Sequence, residues 1–201
     1  MTNELIRGVT LADTPEKLVT AVKNLATAKD EAAISTLIAV FGYNNPTAAA
    51  IASTALVEMG EVAVPQLLTQ IDDYNYGARA YSIRTLAAIA DPRALDVLID
   101  AAAIDFAPSV RRAAAKGLGN LHWHKLEFPE HQTAPKRAWE TLVFVSQDPE
   151  WSIRYAAIVG LQGLAKIPDL QQPIHNRFQE MLDSEPERSV RARILLAQSS
   201  P

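Results

Sequence analysis

The sequence predicts an all-α protein, a right-handed α-solenoid of about five stacked helix pairs, and three observations carry the prediction. Composition is the first. Among 201 residues there are 33 alanines and 21 leucines, strong helix formers, against eight glycines and 6% aromatics, which disfavours a β-sandwich. The second is a repeat. With Arg79, Arg111, Arg154 and Arg191 in register, Leu86, Leu118 and Leu161 follow at seven residues and Ile89, Leu121 and Leu164 at ten, which is one face of a helix. The third is a fixed acidic position, since Asp73, Asp105 and Asp148 each precede the aligned arginine by six.

The elements follow in order. Residues 1–13 read as a flexible N-terminal extension and Thr14–Asp30 as an extra helix in front of the repeats. First helices of the pairs are predicted over Asp30–Phe41, Glu61–Ile71, Pro92–Ile104, Pro135–Val145 and Leu170–Leu182. The second helices follow near Thr47, Gly77, Ser109, Ser152 and Ser189, with arginine spacings of 32, 43 and 37. In the last pair Asp183 precedes Arg191 by eight, so the register is expected to slip there. Each pair must stack on the next to bury its stripe, and the whole of 1–201 reads as one repeat domain. Asp73, Arg79, Asp105, Arg111 and Asp148 are expected to form a structural ladder of turn caps and inter-repeat hydrogen bonds. Gly117-Leu118-Gly119 reads as close helix packing. The Asp-turn-(Val/Ile)-Arg pattern resembles that of HEAT repeats.

Two departures from the repeat mark candidate functional residues. The longest arginine interval carries an insertion, residues 122–135, holding His122, Trp123, His124 and His131. It reads either as a functional loop at one edge of the solenoid or as a packing loop in which Trp123 and Phe128 cover helix ends. The other departure is aromatic and basic. Tyr76 and Trp151 occupy equivalent positions at the starts of second helices, and Arg112 and Tyr155 are equivalent to each other further along. If second helices line a concave side, Arg112, Trp151 and Tyr155, with Tyr76 and Arg154, suit a flat, conjugated, anionic molecule: aromatics stack and arginine holds a carboxylate. The same residues also suit a protein-binding groove, and Arg154 serves the ladder equally well.

Several classes of function are disfavoured. Without cysteine the chain has no disulfide, thiolate metal site or cysteine nucleophile. A net charge of −4 argues against nucleic-acid binding. No apolar run is read as reaching the roughly 18 residues of a membrane span, and Met1–Thr10 lacks the apolar region of a secretory signal, so a cytoplasmic location is predicted. His122 and His124 have no third ligand at a recognisable spacing, so no metal or resident cofactor is expected. No GxGxxG, P-loop or GxSxG motif is present.

The units Ser109–Leu121 and Ser152–Leu164, with the aromatic-histidine loop after Gly119-Asn120, resemble those of the HEAT-like bilin lyases of the E/F type. The length is similar to that of their shorter, F-type subunits, as in phycocyanin α-subunit phycocyanobilin lyases. The resemblance implies an enzyme subunit that pairs with a longer E-type subunit. Together they deliver a linear tetrapyrrole, phycocyanobilin, as bound substrate to a cysteine of an apo-phycobiliprotein. Given such a substrate, the aromatic and basic departures from the repeat place its propionates at Arg112 and Arg154 and its rings against Trp151, Tyr155 and Trp123, with Tyr76 also a binding residue, while His122 or His124 contacts pyrrole nitrogens or moves a proton. Isomerising relatives carry His-Cys in the comparable loop; His122-Trp123-His124 stands here, which implies attachment without isomerisation. A non-enzymatic scaffold that binds phycobilisomes is the alternative. Ile194, Leu195 and Leu196 near the chain end have little sequence left to cover them, which also predicts a partner chain.

Overall fold

The computed structural model describes residues 1–71 and 74–199; Asp73, one of the expected ladder carboxylates, lies outside the described residues. Those residues form α-helices and 3-10 turns and no strand. Their contacts gather into two compact units, Met1–Ile89 and Ala90–Pro201, where the repeat pattern predicts one domain.

The N-terminal unit contains α1 (Thr2–Thr10), α2 (Pro15–Ala28), α3 (Ile34–Ala39), α4 (Pro46–Met59), α5 (Val64–Thr69) and α6 (Tyr76–Ile89). Residues 2–10 are helical, where a flexible extension was expected. Val9 is buried, and the Thr2 hydroxyl donates to Asp30 Oδ2 at 2.6 Å. Helix starts follow local chemistry: Asn45 Oδ1 accepts from the Ala48 N–H at 3.0 Å, with Pro46 opening α4 where its missing N–H costs nothing. Ala48, Ala49, Ala52 and Ala55 are buried on α4, and the Ser53 and Thr85 hydroxyls meet at 2.7 Å between α4 and α6. By composition Pro46–Thr69 is apolar enough to span a membrane, with mean hydropathy 1.3 over its most apolar stretch, which departs from the sequence expectation. The backbone turns at Gly60 (φ 71°) between α4 and α5, and Leu56, Val64 and Leu67 are fully buried core residues.

The C-terminal unit contains α7 (Leu95–Ile104), α8 (Pro108–Leu118), α9 (Glu130–Val145), α10 (Trp151–Leu164), α11 (Pro168–Ser184) and α12 (Arg188–Ser199). The stripe is core throughout: Leu86, Leu118, Leu161 and Leu164 have no exposed surface, and Ile89 and Leu121 are buried. Helix α9 begins at Glu130, so the last residues of the expected 122–135 loop are helical and Pro135 sits inside the helix. The proline's missing N–H falls in the second turn, where it removes one intrahelical bond without ending the helix. The rest of the insertion includes a 3-10 turn over Trp123–Lys125 and is fastened by the His122 N–H, which donates to the Ala90 carbonyl at 2.8 Å.

Helices α8 and α10 approach until backbones touch. A Cβ at Gly119 would lie 2.2 Å from the Gly160 carbonyl oxygen, and one at Gly160 2.3 Å from that of Ala115. The close-packing role expected for Gly119 is thus met by two glycines on the facing helix, Gly160 and Gly163.

Along the other edge runs the ladder. Arg111 donates through Nε to the Ala102 carbonyl of α7 at 3.2 Å, and its Nη2 meets Asp148 Oδ2 in the next pair. Asp148 Oδ1 also accepts from the Glu150 N–H at 2.8 Å, closing its own turn. Arg154 repeats the arrangement one pair later. Its Nε and Nη2 hold Glu185 at 2.8 and 2.6 Å, and its Nη1 donates to the Asp148 and Pro149 carbonyls. The expected slip to Asp183 does not occur. Glu185 precedes Arg191 by six, so the register holds and a longer carboxylate fills the position. Asp105 Oδ1 caps the Ala107 N–H at 2.8 Å, the same turn chemistry.

Two predictions follow from this packing. Gly160→Ala destabilises the protein by more than about 1 kcal/mol in urea unfolding, although alanine is the better helix former. Gly8→Ala in α1, where nothing lies within 4 Å of the added Cβ, stabilises by about 0.5–1 kcal/mol. The second concerns pH. The hydrogen bonds from Arg154 hold the buried Glu185 carboxyl below the usual glutamate range. A depressed folded-state pKa gives stability that is complete above the unfolded value and lost as pH falls through the folded one. Glu185→Gln is therefore less stable by on the order of 2–3 kcal/mol at neutral pH. The gap narrows below about pH 4.3 as the wild-type carboxylate takes up its proton, measured by urea midpoints across pH.

Candidate functional site

The second helices of the C-terminal unit carry most of the predicted site. Arg112 lies in the second turn of α8 and donates from Nη1 to the Ser152 hydroxyl at 2.8 Å, in the first turn of α10. Trp151 precedes that serine and is 46% exposed; Tyr155, one turn beyond it on α10, is half-buried. The start of α10 is closed by Glu150, whose Oε1 accepts from the Ser152 N–H at 3.0 Å. Hydrogen bonds from Ser152 hold the Glu150 carboxyl below its ordinary range, helped by the nearby Arg112 and Arg154 charges. Arg112 thus anchors a cluster of one cation and two aromatic rings at the N-terminal ends of α8 and α10.

Arg154 does not join that cluster. All three of its nitrogens are engaged, by the Glu185 carboxylate and two carbonyls, so the structure places it in the ladder rather than on a ligand. Tyr76, 44% exposed, is the first residue of α6 in the N-terminal unit.

The His122-Trp123-His124 segment follows the other end of α8. Six residues of helix separate Arg112 from Leu118, about 9 Å of rise, before the chain reaches His122. The two imidazoles are exposed with ring centroids 5.7 Å apart, and Trp123 between them is half-buried. Among the described residues no group of three or more histidines and carboxylates is placed to hold a metal ion. The sequence-derived site therefore separates into a cation-aromatic cluster and a histidine loop at opposite ends of one helix.

Sequence reasoning missed a cleft of about 640 Å³ at the C-terminal ends of α8 and α10, bordered by α11 and α12. Its residues, among them Asn120, Lys166 and His175, break no repeat pattern and so gave no signal. Glu185 was missed as well, though its six-residue spacing to Arg191 was there to be found.

A family profile for HEAT repeats matches residues 64–130. Phycocyanobilin lyase subunit beta of Nostoc sp. PCC 7120 is 86% identical over 199 residues, covering 99% of this chain and all of that one. Phycocyanin alpha phycocyanobilin lyase CpcF of Synechocystis sp. PCC 6803 is 48% identical over 95% of this chain and 90% of its own. A chain in the solved complex of CpcE and CpcF of phycocyanin lyase from Nostoc sp. PCC 7120 is 87% identical with a TM-score of 0.83. The match covers 85% of this chain and all of that one. Likeness of this degree along nearly the whole length shows that the chain belongs to the family of phycocyanobilin lyase beta subunits, the CpcF type.

Proposed function

We propose that this chain is the F-type half of a heterodimeric phycocyanobilin lyase, acting with an E-type subunit in the cytoplasm to attach phycocyanobilin to a cysteine of apo-phycocyanin α-subunit. The observation that carries the reading is near-complete likeness to lyase beta subunits and to a chain solved in complex with CpcE. The chemistry is an addition. The acceptor's sulfur bonds to the ring-A ethylidene carbon and the thiol proton passes to the tetrapyrrole, so no oxidant is needed. A chain without cysteine can serve such a reaction because the nucleophile belongs to the acceptor. Its own contribution is to hold and orient the bilin, an effect of proximity. Trp151 and Tyr155 offer faces for the conjugated rings, Arg112 offers a cation, and His122 or His124, beside Trp123, carries the proton.

Reconstitution tests the function. The chain, an E-type subunit, phycocyanobilin and apo-phycocyanin α-subunit together give an acceptor band with zinc-induced fluorescence on a denaturing gel. Omitting either lyase subunit abolishes it. A scaffold without chemistry leaves the acceptor dark in every combination.

Single substitutions test the residues. Arg112→Ala, Trp151→Ala and Tyr155→Ala each lower the transfer rate about tenfold or more while helicity and partner binding persist, as expected for lost substrate contacts. Wild-type transfer by all three makes that surface a protein-binding groove.

A further inference from the structure

The cleft at the C-terminal ends of α8 and α10 combines basic side chains with an apolar wall. The protein carries a net charge of −4, yet among the described residues the cleft is lined by Lys166 and His175 and by no carboxylate side chain. Ile174 and Phe178, both buried, give it an apolar wall. Gln198 lines it too, and its Nε2 is buried with no hydrogen-bond partner. A buried amide N–H without an acceptor is costly, and the oxygen of a bound carboxylate would supply one. The glycine contact of α8 with α10 brings Asn120 to the same rim, two residues before His122. A volume of about 640 Å³ is in the range of small-molecule sites.

We propose that this cleft is a binding site for a carboxylate on an apolar, conjugated molecule, and that it anchors a propionate of the tetrapyrrole. The identity of that molecule rests on the bilin-lyase reading above. Lys166 and His175 meet the carboxylate, the Gln198 amide donates to one of its oxygens, and the apolar wall takes the adjoining pyrrole. A propionate held here puts part of the pigment beside the histidine loop, at the end of α8 away from Arg112.

The test titrates the complete two-subunit complex with phycocyanobilin and, separately, with its dimethyl ester, following pigment absorption. Lys166→Gln/His175→Gln changes two exposed side chains and leaves helicity intact, but weakens uptake of the acid about tenfold. The ester, which has no carboxylate, binds wild type and double variant alike. Gln198→Leu removes the unpartnered amide, so it raises the thermal midpoint of the unliganded complex while weakening uptake of the acid. The proposal is overturned if the double variant or Gln198→Leu takes up the acid as wild type does, or if acid and ester lose equally. In those cases wild-type transfer to the acceptor leaves the lyase reading standing. A wild-type complex that takes up neither pigment overturns both.

Discussion

Most of the C-terminal unit depends on an arginine that performs two tasks at once. Arg111, Arg154 and Arg191 each donate to carbonyls at or just past the end of the first helix of their own pair, where backbone acceptors have no intrahelical partner. Arg111 and Arg154 also reach the carboxylate that closes the turn of the following pair, Asp148 and Glu185. Those carboxylates cap the Glu150 and Glu187 N–H groups in turn. Turn geometry and pair-to-pair register are thereby set by the same few atoms. A helix pair alone would leave its leucine stripe in water, and the ladder fixes the alignment at which the next pair covers it.

Fixing one edge leaves the other open to change. The glycine contact of Gly119 with Gly160 and Gly163 holds α8 and α10 together at their far ends with no side chain between them. The insertion enters there, directly after Asn120, and the cleft opens there. Added residues at that edge disturb no ladder contact, which explains why the interval from Arg111 to Arg154 lengthens while both arginines keep their partners.

What the sequence revealed was whatever recurs. The leucine stripe and the arginine register were legible because a helical period and a six-residue spacing repeat along the chain. Glu185 escaped because aspartate was sought where a carboxylate of either length suffices. Helix α1 escaped because nine residues are too short to display a period, though Val9 is buried. The start of α9 was misplaced because Pro135 looks like a first helical residue, and the helix instead begins five residues earlier. The cleft was invisible for a different reason. Asn120, Lys166, His175 and Gln198 are ordinary polar residues in their own helices, and only the convergence of α8, α10, α11 and α12 gives them a shared purpose.

The contrast between Arg154 and Arg112 shows how such a fold separates stability from function. Arg154 and Arg111 occupy the ladder position, largely screened from solvent, where every nitrogen of Arg154 is engaged. The position one residue later holds Ala80, Arg112 and Tyr155 in successive repeats, and the position three residues earlier holds Tyr76, Pro108 and Trp151. Packing demands a single residue type at the first of these and tolerates small, charged or aromatic ones at the other two. Chemical character is therefore written where the ladder does not reach. Arg112 donates to the Ser152 hydroxyl on the neighbouring helix, the helix that also carries Trp151 and Tyr155. A cation held loosely at such a place can meet a substrate or partner without loosening the stack, whereas the same guanidinium one pair later cannot leave Glu185 without exposing a buried carboxylate.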